Sequence, residues 1–462
     1  MTSLWKHQSD AVDEAVKHMP GGFGFFMEMG TGKTLAAIET LRRLKALRIL
    51  VLCPKSVGSV WCGELQKHWP DGPPAVSLIG SAASRALTLQ RNATRRLVAI
   101  CNYEAAWREP LAKALVEGDW DALVLDESHR IKAARGKAST FVGLLAQRVP
   151  VRLALTGTPV PHSVLDVWGQ YRALDPTVFP STFTAFRYRY SRLATKQESR
   201  DTDTYLQPGK GGVLQRWKFQ NLDDLQERMY RIAFRVRADD VLDLPETLDV
   251  ERTCELEPGA RRVYQDLERH FVSELASGVV TAANAAVKVM RLAQVTGGTV
   301  ITHNIETGEE TREHVSGAKA DVLRDIIEDA GTEPIVVFCR FHSDLDAVHA
   351  VCATLLVAAA ELSGRRNELH AWQDGGARVL VVQVQAGGLG IDLTRARIAV
   401  YYSLGYSLAE YEQSRARLHR PGQTRPVEYL HLVASGTVDG LIYEALRARA
   451  DVVASVVERL GK

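Results

Sequence analysis

Between residue 20 and about 176, short apolar runs of strand character alternate with amphipathic or turn-rich stretches. The runs are Gly22–Met27, Ile49–Cys53, Leu97–Cys101, Ala122–Leu125 and Val151–Leu155. Such alternation predicts a parallel sheet covered by helices. Several runs end in polar clusters, the place where open parallel sheets bind ligands. The pattern breaks over 181–240, where Phe183, Phe186, Arg187, Tyr188, Arg189, Tyr190, Trp217 and Phe234 cluster and Pro208–Gly212 supplies a turn. This segment reads as a helical insertion with a hairpin or loop. Strand-like runs return at Ile335–Cys339, Val379–Val382, Ile398–Tyr402 and Val427–Leu432, which predicts a second lobe of the same class. Between them, Pro258 and Gly259 precede a helical pattern through Tyr264 and Leu267, and Thr296–Gly298 reads as a turn. The expected fold is α/β, with a first lobe over 1–180, the insertion over 181–240, a connection with helical elements over 241–316 and a second lobe over 317–462.

Composition narrows the class without changing this picture. A chain of 462 residues exceeds one ordinary core, and 46% hydrophobic with 24% charged residues is the balance of a soluble globular protein, not of a disordered or fibrous one. The net charge of +2 permits a polyanionic partner but does not demand one. Six cysteines lie far apart without a C-x-x-C pair, so buried reduced thiols are expected in place of a disulfide frame or zinc site. The N-terminal residues lack a signal-peptide pattern and no run reaches bilayer length, so the expectation is a cytoplasmic protein without a membrane partner.

Candidate chemistry begins after the first strand. Gly30-Thr31-Gly32-Lys33-Thr34 reads as a tight turn between the strand Phe23–Met27 and a helix from Leu35 to Leu44. Glycines let backbone N–H groups approach phosphate oxygens, the helix N-terminus adds its positive end, Lys33 reaches the β and γ phosphates, and Thr34 can ligate magnesium. Met27 stands where the general pattern has glycine, a departure that favours a loop of helicase type. Downstream, Asp126 and Glu127 follow the apolar strand Ala122–Leu125. Asp126 can hold magnesium, and Glu127 can orient and deprotonate the water that attacks the γ-phosphate. ATP and Mg2+ are thus the expected ligands, with Gly30, Thr31, Gly32, Lys33, Thr34 and Asp126 binding them.

The order of motifs resembles helicase superfamily II, and the details resemble its Swi/Snf branch of duplex-DNA translocases over nearly the whole chain. Leu4, His7 and Gln8 match the element that reads adenine in that family, which implies this role for the Gln8 amide. Cys53–Ser56 with Trp61 and Glu64, and Ile100–Glu104, look like the two elements that touch one DNA strand in relatives. Leu155-Thr156-Gly157-Thr158-Pro159 closely matches the motif that links hydrolysis to lobe movement. Thr156 and Thr158 are short hydroxyls able to switch partners near Asp126 and Glu127.

Gln385 to Leu393, with Gly390 and Asp392, is similar to the fifth motif, whose backbone approaches a DNA phosphate and the nucleotide. Gln413 to Gln423 resembles the sixth. Its Arg417 and Arg420, three apart, are expected on one helical face as arginine fingers for the transition-state charge. Thr31 stands where the family commonly has leucine, Trp372 where it has phenylalanine, and the connection from Phe341 to Val379 is short, which suggests a compact bacterial or phage-type member without histone-reading modules.

The resemblance implies two RecA-like lobes with ATP in the cleft between them, and a DNA-dependent ATPase that moves along double-stranded DNA chiefly by its phosphates. Rival readings are a strand-separating DNA or RNA helicase and a nucleotide-switched DNA clamp. Intact Glu127 and the two arginines argue against the clamp.

Overall fold

A computed structural model describes residues 3–160, 163–195, 198, 204–208, 214–276, 282–303, 310–384, 391–405, 407–444 and 446–447. Gly390 with the rest of Gln385–Gly390, the turn after Pro208, and the residues after Arg447 lie outside the described residues. The chain divides into two compact units, the first built on 1–205 and 216–243 and the second on 244–450.

In the first unit the strands β1 (Gly21–Met27), β2 (Arg48–Cys53), β3 (Ala75–Ser77), β4 (Leu97–Asn102), β5 (Ala122–Asp126) and β6 (Val151–Leu155) follow one another, mostly with helices between them. The middle strands are buried on both faces, as parallel sheets require. Leu123 and Leu125 enter one core with Leu50 and Leu52, while Val124 enters the other with Val51 and Phe25. That split is the two-residue period of a pleated strand.

The insertion holds the helices Phe183–Tyr190 and Leu222–Tyr230 and a small sheet of order β7-β9-β8, from β7 (Ser191–Leu193), β8 (Thr204–Pro208) and β9 (Leu214–Phe219). Its end differs from the sequence reading. Ala233–Val236, expected inside the insertion, is a strand, β10, that pairs in parallel with β1 from Gly24↔Ala233 to Met27↔Val236. The first sheet therefore has the order β10-β1-β6-β5-β2-β4-β3.

The second unit opens with β11 (Thr247–Cys254), a stretch expected to be mere connection. Its TLDVERTC sequence is polar and largely exposed, and it is a strand because all eight residues pair with β18 (Val427–Ala434). Between these two lie the hairpin β12 (Thr299–His303) and β13 (Glu310–His314), then β14 (Ile335–Cys339), β15 (Ala359–Leu362), β16 (Val379–Gln383) and β17 (Ile398–Tyr401). The parallel sheet runs β11-β18-β17-β14-β16-β15. All six cysteines are free thiols, and among the described residues no helix is long and apolar enough to cross a membrane.

Burial also strands one carboxylate in the second unit. Asp344 Oδ2 accepts from the Phe341 backbone N–H at 3.0 Å and from the Ser403 hydroxyl, while Oδ1 is buried without a partner. Desolvation raises its pKa from 3.8 to about 6. A carboxyl raised on folding penalises the native state once it ionises, so stability falls as pH rises from about 4 to about 6 and stays reduced above. Asp344→Asn keeps an oxygen for the two donors. It is expected to raise the melting temperature at pH 7.5 by several degrees, with the gain shrinking at pH 5, as thermal melts at both values would show.

Candidate active site

The phosphate loop sits where β1 ends and the helix Lys33–Arg43 begins. Gly30 and Gly32 both have φ of +81°, a left-handed backbone that glycine adopts without strain. A Cβ on Gly32 would lie 2.0 Å from Gln8 Nε2, so a side chain there would displace the Gln8 amide. Thr31 is fully buried, its hydroxyl donating to the Glu28 carbonyl at 2.7 Å. Its side chain thus pins the loop. Gln8 is buried as well. Its Nε2 donates to the Thr31 carbonyl at 3.1 Å, its Oε1 accepts from the Trp5 backbone at 2.9 Å, and His7 Nε2 lies 2.9 Å from the same Thr31 carbonyl. The amide keeps one N–H and one lone pair for a base, but its first service is to brace the loop.

Asp126 ends β5, two strands from β1. Trp61 Nε1 donates to its Oδ2 at 2.8 Å and the Tyr103 hydroxyl donates to its carbonyl at 2.8 Å. Each aromatic is about 1% exposed, Trp61 holding the Asp126 carboxylate and Tyr103 its backbone carbonyl. Sequence reasoning missed that role, although an aromatic with one polar tip inside an apolar stretch is the signal for it. Burial and the neighbouring Glu127 charge raise the Asp126 pKa above the usual carboxylate range, against the Trp61 hydrogen bond and the Lys33 charge, which lower it.

Glu127 has φ +51°, strained for a residue with a Cβ and costing about 1–3 kcal/mol. Two backbone bonds hold it there, Glu127 N–H to Asp126 Oδ1 at 3.0 Å and Arg130 N–H to the Glu127 carbonyl at 2.9 Å. Its Oε2 is buried without a hydrogen bond. The nearest cationic candidate is His129, whose Nδ1 stands 3.4 Å away. Burial and the charges of Arg130, Lys132 and Lys33 lower the His129 pKa to about 3, so the ring is neutral at physiological pH and does not pair with the carboxylate as a cation.

That imidazole also touches Thr156 Oγ1 at 3.1 Å, and Thr156 Oγ1 accepts from the Thr158 backbone at 3.1 Å. A second link joins the same two segments: Ser128 donates to Gln170 Oε1 at 2.7 Å, and Gln170 Nε2 donates to the Pro159 carbonyl at 2.7 Å. The helix Val167–Leu174 comes so close that a Cβ on Gly169 would lie 2.2 Å from the Ile131 carbonyl. Gln170 escaped the sequence reading, though a lone amide in the run Val167–Leu174 is the kind of residue that must find partners when buried.

In the second unit the helix Leu408–Leu418 carries Arg417 in its last turn, and Arg420 lies beyond its end. The expected single helical face is therefore corrected. Pro421 disfavours helical backbone at the preceding residue, and His419 leaves the helix with its Nε2 against the Pro245 carbonyl at 2.7 Å. Arg420 instead donates to the Ile391 carbonyl at 3.1 Å, and the Leu393 N–H donates to the Arg417 carbonyl at 3.0 Å, so both arginines border the described end of the fifth motif. Asp392 is exposed, and its Oδ1 accepts from the Thr394 backbone and hydroxyl at 2.9 and 2.7 Å. Arg415 is committed elsewhere, paired with both oxygens of Asp249 and lying 3.8 Å over the Tyr429 ring.

The SNF2-related domain matches residues 12–303, more than half of the chain, and the helicase conserved C-terminal domain matches 318–422. Protein p41 of Acyrthosiphon pisum secondary endosymbiont phage 1 is 26% identical, over 93% of this chain and 94% of p41. TATA-binding protein-associated factor MOT1 of Saccharomyces cerevisiae is 24% identical over 94% of this chain, which spans 26% of MOT1. Mouse SWI/SNF-related matrix-associated actin-dependent regulator of chromatin subfamily A member 1 is 25% identical, with 41% of its length covered. The Sulfolobus solfataricus SWI2/SNF2 ATPase core, solved in complex with dsDNA, aligns over 99% of this chain and 93% of that one, with 21% identity and a TM-score of 0.45. The chain belongs to the SNF2-related family, a Swi/Snf-like branch of the superfamily II helicase-type ATPases.

Proposed function

We propose that the chain is a DNA-dependent ATPase that translocates along double-stranded DNA. The observation that carries the hydrolytic half is Glu127, a part-buried carboxylate whose Oε2 is buried and finds no hydrogen bond among the described residues, held in strained backbone beside the Asp126 carboxylate and two strands from the phosphate loop. In the reaction, a water oxygen attacks the γ-phosphorus, the bond to the ADP oxygen breaks, and Glu127 takes the water's proton. Lys33 holds the β and γ phosphates, and Arg417 and Arg420 supply positive charge as it spreads over the transferred group.

Thr34 and Asp126 fit a magnesium ion. Such an ion takes one or two protein oxygens and completes its shell with substrate phosphates and water. The Thr34 hydroxyl makes no hydrogen bond among the described residues, and each Asp126 oxygen accepts a single donor. Magnesium would neutralise phosphate charge there.

Family membership supports the DNA half, since relatives are named for chromatin and for a TATA-binding factor. Contacts through phosphates carry no base information, so binding should show slight sequence preference and weaken steeply with salt. Duplex DNA should stimulate turnover more than single strands or RNA. The deciding experiment runs triplex displacement beside forked-duplex unwinding with the same enzyme and ATP. The expected result is displacement of the third strand with little separation of the duplex. Efficient unwinding without triplex displacement, or stimulation by RNA alone, would overturn the translocase reading and leave the ATPase assignment standing.

A further inference from the structure

Glu28 lies inside the phosphate loop and belongs to none of the roles above. Its carboxylate Oε2 accepts from the Ala238 backbone N–H at 2.8 Å, the first residue of the short helix Ala238–Val241. Its own N–H donates to the Val236 carbonyl at 2.9 Å, which extends the β1–β10 ladder by one rung. Its carbonyl accepts the Thr31 hydroxyl. On the other side, a Cβ on Gly157 would lie 3.4 Å from Glu28 Cα, so the Thr156–Thr158 segment packs against the same residue. The sheet order β10-β1-β6-β5 puts four strand ends in a row: the Arg237–Asp243 segment, the phosphate loop, the Thr156–Thr158 segment and the Asp126–Glu127 pair. Glu28 touches three of them. The Arg237–Asp243 segment is where the first unit ends and the chain passes to the second.

We propose that Glu28 is a positioning residue that ties the conformation of the phosphate loop to the segment leading out of the first unit, so that nucleotide occupancy is transmitted to Arg237–Asp243 through the Glu28–Ala238 hydrogen bond. The bond is charge-assisted and set in a largely buried place, where desolvation also raises the Glu28 pKa. A phosphate drawn into the loop moves the backbone that carries Glu28. Because the other end of its side chain holds a backbone N–H, the displacement is passed on by this one side chain, with no second one between. The inference rests on the phosphate-binding reading of the loop but not on DNA being the track.

The test compares the native chain with Glu28→Ala and Glu28→Gln. Hydrogen exchange over Ala233–Val241 is measured with and without a non-hydrolysable ATP analogue, together with analogue affinity and third strand displaced per ATP hydrolysed. In the native protein the analogue should change exchange at Ala238. Glu28→Ala should bind the analogue within about threefold of native, lose that response, and displace about tenfold less strand per ATP, the size of one lost charge-assisted hydrogen bond. Glu28→Gln keeps an acceptor oxygen and should retain the response, which also decides the matter should the alanine variant fail to fold. A nucleotide response preserved in Glu28→Ala, or lost equally in Glu28→Gln, would overturn the proposal. Absence of ATP turnover in the native protein would overturn the proposed function instead, and the exchange comparison would still decide the role of Glu28.

Discussion

Lys33→Ala and Glu127→Gln are expected to inactivate the enzyme in two distinguishable ways. Lys33 opens the helix Lys33–Arg43 immediately after the left-handed Gly32, so its ammonium and the helix's positive end address the same phosphates. Without it the β and γ oxygens lose their fixed cation, and turnover should fall by about 10²–10³ or more. Glu127→Gln preserves shape, and the backbone bonds that hold the strained φ do not involve the side chain. ATP should still bind, but the amide cannot take a proton from water, and loss of a general base typically costs about 10²–10⁴ in rate. His129 is a weak substitute base, because burial and neighbouring cations hold its pKa at about 3. Equilibrium binding of a fluorescent ATP analogue beside single-turnover hydrolysis separates the two variants. Substantial turnover in Glu127→Gln would show that another residue positions the water.

What could be read from the sequence followed from how strongly burial constrains composition. The strands β2, β5, β14 and β16 are near-continuous apolar runs because both faces are covered, and the strand ends of β1 and β5 carry their chemistry in adjacent residues. β10 and β11 were not legible for opposite reasons. β10 has four residues, too few for a period to show, and β11 is exposed along most of its length, so its hydrogen bonds to β18 and not its side chains make it a strand. The polar contacts of the site were equally hidden. Trp61 and Tyr103 reach Asp126 from 65 and 23 residues away, and Glu28 reaches Ala238 across 210, distances over which no local pattern operates. Arg420 was misplaced by treating a spacing of three as helical when Pro421 had already marked the helix's end.

That placement shapes the expectation for Arg420. Removing it should lower turnover roughly a thousandfold or more, the usual effect of an arginine finger, with modest change in nucleotide affinity. Standing beyond the helix, the guanidinium donates to the Ile391 carbonyl, and its Nε is buried with no partner among the described residues. A charged donor kept dry and unspent is costly unless a ligand uses it. Arg415 provides the contrast within one stretch of chain: both sides of its fork serve Asp249 and its face covers Tyr429, so Arg415→Ala should lower the melting temperature instead. Arg417→Ala should resemble Arg420→Ala or be somewhat milder. Arg420→Lys should recover little, because a point charge cannot reproduce a planar fork across two phosphate oxygens. Steady-state kinetics beside thermal melts for the variants decide the matter. Near-normal turnover in Arg420→Ala would assign the residue to DNA contact or to bracing Ile391, and would leave the transition-state charge to Arg417 and Lys33.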